Sequence, residues 1–77
     1  MQIKIKPISK EKLEKNGWEK LGDYDYIWYH YHKEINNLDV EIQKITDSVY
    51  YCEVPDYKDV FTDDLIAIGN ELKKMEE

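Results

Sequence analysis

Polar and apolar positions alternate along much of this chain, and where the alternation changes period it marks the elements. Ile3 and Ile5 alternate with Gln2, Lys4 and Lys6, the pattern of a short strand. Its lysines and the following Pro7 place it at a sheet edge. A short helix comes next with both ends marked. Ser9 is the N-cap, and Ile8 and Leu13 have the spacing of a hydrophobic staple. Gly17 suits the left-handed position that closes a helix, which would fold Trp18 back onto Leu13. From Trp18 to Val54 the pattern is β. Tyr24 to His32 is dense in Tyr, Trp and Ile, residues that fit a pleated surface. Leu38 to Gln43 alternates cleanly, so one face is buried and the other wet. Val49 to Val54 is a third run, ended by Pro55. Glu19 to Leu21 reads as an extension of the first run across a bend at Gly22. Asn36-Asn37 and Thr46-Asp47-Ser48 supply the turns.

A second helix is expected from Asp63 to Met75. Thr62 is its N-cap, Phe61 and Ile66 form a second staple, and Leu65, Ile68, Leu72 and Met75 line one apolar stripe. Asp63 and Asp64 suit the positive end of the helix dipole, Lys73 and Lys74 the negative end. Gly69 inside this helix costs up to ~1 kcal/mol relative to alanine, and the expected reason is close approach to the sheet. Together these elements predict a single α+β domain over residues 1–77. It is a small antiparallel meander of three to four strands, with a short N-terminal helix and a C-terminal amphipathic helix on one face. The other face is left uncovered.

Register decides what that open face carries, since a one-residue slip moves every side chain to the opposite side. A three-residue loop at 46–48 pairs Val40 with Val54 and Ile42 with Cys52 inside. It sets Gln43 beside Tyr51 and Glu41 beside Glu53 outside. This register buries the thiol and both valines, though it sets two glutamates against each other.

Size and charge narrow the function. A 77-residue chain has a thin core, and the single cysteine, Cys52, cannot staple it. A lone thiol points to a reducing compartment, and no apolar run in the opening residues serves as a signal peptide or membrane span. A cytoplasmic location is therefore expected. Ten aromatic residues and regular aliphatics argue for a folded chain. The net charge is −6, unevenly spread: residues 1–20 hold six lysines against three glutamates, residues 21–77 five lysines against fourteen acids. There is no arginine, and arginine supplies the planar fork for phosphate and guanine. An AT-rich coding sequence accounts for the same bias.

Catalytic arrangements are weakly represented, and no enzyme is expected. The glycines Gly17, Gly22 and Gly69 are isolated, so no phosphate loop is formed. Cys52 sits mid-strand at a core position with no cation to lower its pKa. His30 and His32 share a strand face within reach of Asp25, Asp39 and Glu41, but a zinc site needs three or four ligands at a recognised spacing. Neither cofactor nor metal is expected. Lys4, Lys6, Lys10, Lys12, Lys15 and Lys20 form a candidate basic patch for single-stranded nucleic acid. The acidic whole and the missing arginine count against that partner.

The aromatic run remains. In a strand, Tyr24, Tyr26, Trp28, His30 and His32 share one face, and Ile27, Tyr29 and Tyr31 the other. The second set is expected inward. The first set is either a contact surface, rich in the residues that anchor interfaces, or a lid over a thin core. The candidate partner-binding residues are Tyr24, Tyr26 and Trp28 with Asp39, Glu41, Tyr51 and Glu53. Asp56, Asp59, Asp63 and Asp64 are a second acidic set.

The run Pro7-Ile8-Ser9, followed by Leu13-Glu14-Lys15-Asn16-Gly17-Trp18-Glu19-Lys20, resembles a recurrent opening in small uncharacterised proteins of bacterial phages and mobile elements. There a short helix ends in a Leu-x-x-x-Gly-aromatic-Glu turn, followed by aromatic strands and a closing amphipathic helix. Here the closing helix is represented by Leu65 to Leu72, without the Leu-Gln-Asn stretch of that pattern. The resemblance carries no catalytic residue across. It implies a small acidic protein that binds a basic host protein, in the manner of anti-CRISPR and other anti-defence antagonists that present carboxylates in place of phosphates. A homodimer formed through the aromatic face or the 2–6 edge is the alternative.

Overall fold

The structure, a computed structural model, describes residues 1–22, 29–57 and 59–76, with Tyr29 described by its backbone alone. The described residues form β1 (Gln2–Ile5), α1 (Lys10–Lys15), β2 (Glu19–Leu21), β3 (Tyr29–Ile35), β4 (Leu38–Lys44), β5 (Tyr50–Glu53) and α2 (Thr62–Met75). The strands make one antiparallel sheet in the order β1-β5-β4-β3-β2. The α+β architecture is the one expected, with five strands where three to four were predicted. The difference lies in Glu19–Leu21. These residues do not prolong β3 but lie antiparallel to it, Glu19 opposite His32 and Leu21 opposite His30.

Local chemistry fixes the turns. Asn36 and Asn37 both have positive φ, 51° and 66°, as a two-residue hairpin turn of the type that follows strand twist requires. Thr46 Oγ1 accepts from the amides of Ser48 and Val49. The loop is the length expected, so Glu41 faces Glu53, Ile42 faces Cys52 and Gln43 faces Tyr51. In α1 the Ser9 hydroxyl accepts from the Lys12 amide. At the other end Gly17 takes φ +86°. The Trp18 amide then reaches back to the Leu13 carbonyl at 3.0 Å and the Gly17 amide to that of Glu14 at 3.2 Å, the paired bonds of a Schellman closure.

The core lies between one sheet face and the two helices. Tyr31, Val40, Ile42 and Cys52 from the sheet, Leu13 and Trp18 from the first helix and its cap, and Ile68 and Met75 from α2 are buried together. Burial pushes the Cys52 thiol up to about 11, helped by the neighbouring Glu53 charge.

A polar cluster is set into this core. Glu71 accepts from the Trp18 indole at 3.2 Å and from Lys33 at 3.0 Å through one oxygen, and from Lys74 at 3.2 Å through the other. Lys33 also donates to the Asn16 carbonyl at 2.8 Å. One carboxylate thus ties α2, β3 and the end of α1 together. Burial alone would raise its pKa. The hydrogen bonds from Lys33, Lys74 and Trp18, with the Lys33 charge, outweigh burial and hold it below the usual glutamate value. Tyr31, fully buried, donates its hydroxyl to Glu14 on α1 at 2.6 Å.

Helix α2 departs from the sequence reading in four places. Its N-cap is Phe61, one residue before Thr62. Phe61 has no side-chain acceptor, and its own amide is held instead by Asp64 at 2.9 Å. The second staple does not form, since Phe61 and Ile66 are both exposed, at 65% and 56%. Leu65 is exposed as well, and the buried stripe runs through Ile68, Glu71 and Met75. Gly69 faces away from the sheet: a Cβ there would meet no described atom within 4 Å.

Candidate protein-binding face

Alternation along the strands carries every second residue to the face away from the helices. One row across that face reads Gln2, Glu53, Glu41, His32, Glu19, and the next reads Lys4, Tyr51, Gln43, His30, Leu21. Asp39 and Glu34, paired across β3 and β4, add two carboxylates beyond the first row. The face is therefore acidic along one band and aromatic, basic and amide-bearing along its neighbour.

The acidic band is held by its own contacts only in part. His32 lies between carboxylates, its Nδ1 3.0 Å from Asp39 and its Nε2 4.0 Å from Glu19. A shallow recess beside it is lined by Gly17, Glu19, His32, Lys33, Glu34 and Asp39. At the other end Glu41 and Glu53 stand directly opposite each other, a like-charge juxtaposition that costs stability. Glu53 Oε2 is buried and has no hydrogen-bond partner among the described residues. A buried carboxylate oxygen without a donor is expensive.

Of the sequence-predicted residues, the structure brings Asp39, Glu41, Tyr51 and Glu53 onto one face. Tyr24, Tyr26 and Trp28 lie outside the described residues, as does Ile27. The sequence reading missed Glu19 and Glu34; it placed His32 on the candidate contact face and weighed it as a metal ligand, without naming it among the partner-binding residues. Glu19 joins the band because β2 is a separate strand, and the signal for that was a strand-like triplet ending at Gly22, whose φ is +77°. The second acidic set is largely structural. Asp64 accepts from the Phe61 amide and from Asn36, and Asp56 pairs with the Met1 amino group at 2.7 Å.

The candidate basic patch is divided. Lys4 sits on one edge strand and Lys20 on the other, on opposite faces. Four strand spacings, roughly 19 Å, separate those edges. Among the described residues, no three of His, Cys, Asp and Glu are placed to share a metal ion. No helix of the described residues is long and apolar enough to cross a membrane. No family model, curated protein or solved structure matches the chain.

Proposed function

We propose that the chain is a small acidic binding module, without catalytic activity, whose open sheet face engages a basic protein surface in the cytoplasm. The observation that carries this reading is the pair Glu41 and Glu53, opposed on the face away from the helices, with Glu53 Oε2 buried and lacking a donor among the described residues. Among the described residues no donor offsets this arrangement. A lysine or arginine brought by a partner beside the two carboxylates would relieve the repulsion. Tyr51, half-buried beside Gln43 and Lys4, gives the contact an apolar anchor. The resemblance of residues 7–20 to small phage proteins extends this to an antagonist of a host protein, with carboxylates standing where nucleic-acid phosphates would lie. The net charge of −6 would speed encounter with such a groove at low salt.

The test pairs the wild-type chain with Glu41→Lys/Glu53→Lys in pull-downs from host lysate, at low and high salt, with nuclease present. A basic protein retained by the wild type, released by salt and lost in the charge-reversed variant supports the reading. Retention that the variant preserves, or that nuclease abolishes, overturns it.

A further inference from the structure

Of the asparagines Asn16, Asn36, Asn37 and Asn70, Asn16 alone is followed by glycine. That dipeptide is chemically unstable. The glycine nitrogen, deprotonated by base, attacks the side-chain carbonyl carbon. Ammonia leaves and a five-membered succinimide ring forms. Water then opens the ring at either carbonyl, leaving aspartate or isoaspartate, so a neutral amide is exchanged for a carboxylate. Glycine favours the first step because it has no Cβ to hinder the approach. Sequence alone therefore places a self-reactive bond between α1 and β2.

The fold opposes this reaction at each group it needs. Asn16 is the C-cap of α1, with φ −97° and ψ 15°. That ψ turns the Gly17 nitrogen away from the Asn16 side chain, whereas ring closure needs the two brought together. The Gly17 amide donates to the Glu14 carbonyl at 3.2 Å, so the proton that must leave is held. The side-chain amide is fixed too, its Nδ2 donating to the Lys12 carbonyl at 2.8 Å. Lys33 donates to the Asn16 main-chain carbonyl at 2.8 Å and to Glu71 through the same nitrogen. It thereby anchors the peptide group that would have to rotate. Gly17 itself is exposed, so base and water reach the bond once the cap opens.

The product does not fit where the reactant did. An ionised aspartate at position 16 has no proton to give the Lys12 carbonyl, and it sets a negative charge at the negative end of α1. Isoaspartate adds a methylene to the main chain inside the Schellman closure. The Gly17 and Trp18 amides then lose their register with the Glu14 and Leu13 carbonyls. Trp18 is 3% exposed and its indole donates to Glu71, so the disturbance passes from the turn into the core.

We propose that Asn16-Gly17 is a self-modification site latched by the fold: deamidation there requires the C-terminal closure of α1 to open, and once complete it stops that closure from re-forming as before. Opening is reversible until the ring forms, and a chain that has reacted stays loosened. The latch lies in α1, its cap and Lys33, so it is independent of the sheet-face reading.

The test incubates the full chain in mildly alkaline buffer, native and in guanidinium chloride, and follows the tryptic peptide Asn16–Lys20 for amide-to-acid exchange and isoaspartate. The native chain is expected to react at least ~10-fold more slowly than the denatured one. Lys33→Met should speed the native reaction and leave the denatured rate unchanged. Asn16→Asp should melt below Asn16→Ala, which lacks the same hydrogen bond without adding the charge. A native rate equal to the denatured rate overturns the proposal, as does a Lys33→Met chain that reacts no faster than wild type. So does an Asn16→Asp chain that melts at or above Asn16→Ala.

Discussion

The two faces of the sheet share five strands and differ in how their polar groups are treated. On the covered face the described polar side chains at the core's edge find partners. Tyr31 meets Glu14, Trp18 and Lys33 meet Glu71, and Lys33 also caps Asn16. On the other face two glutamates confront each other and one buried oxygen has no donor among the described residues. The covered face shows what this chain does where stability is at stake. The other face departs from that pattern, and the reading proposed above takes that departure as the mark of a contact surface.

Substitutions sharpen the contrast. The largest effect is expected at Glu71→Leu, which leaves Lys33 and the Trp18 indole without their acceptor. Breaking a buried pair from one side costs about 3–5 kcal/mol, read as a lower urea midpoint. Glu71 also fixes an acid limit. Its pKa is lowered in the fold, so the stability it supplies is present above the unfolded value and is lost as pH falls through the folded one. Glu71→Gln should therefore lose less stability than wild type as the pH is lowered below about 4.5. A wild type and variant with parallel acid profiles would remove Glu71 from the account.

An effect of up to about 3 kcal/mol is expected in alkali. With the Cys52 thiol raised to about 11, folding favours the protonated form. Its contribution is complete below the unfolded value near 9 and declines as pH rises toward 11. Cys52→Val should flatten that part of the stability profile relative to wild type.

Smaller effects, of opposite sign, belong to the open face. Glu53→Gln removes the like-charge opposition and should raise stability by up to ~1 kcal/mol while weakening partner binding. A loss of stability as large as that from Glu71→Leu would erase the distinction between the faces. Asp39→Asn, at an exposed pair with His32, should move stability by no more than ~0.5 kcal/mol, with the association rate to a basic partner reduced.

Much of the fold was legible because short-range signals agreed with one another. Ser9, Gly17 and the Asn36-Asn37 pair each announce a specific backbone conformation. The alternation in Leu38–Gln43, with a three-residue loop, fixed the register that places Glu41 beside Glu53. What escaped was information held between distant residues. Glu71 sits in an apolar stripe, and a glutamate there makes sense only once Lys33 and Trp18 arrive from elsewhere in the chain. Leu65 has the spacing of a core residue, yet it stays exposed while Ile68 and Met75 are buried. Gly69 invited the wrong explanation because helix periodicity does not say which flank meets the sheet. Glu19 was hidden because three residues are too few to show that a strand has turned back.

The sheet order has a consequence for how the molecule opens. β3, β4 and β5 are joined by tight turns and can zip sequentially, whereas β1 pairs, among the described strands, with β5 alone, at the far end of the meander. Its closure must await the rest, because the loop entropy of that long-range pairing is recovered only when β5 is already in place. β1 is therefore expected to detach before the central strands, and its amides should exchange with solvent well before those of Val40 and Ile42. Each such excursion uncovers the backbone edge of the strand that carries Glu53, so the slowest-forming part of the sheet also controls access to one end of its acidic band.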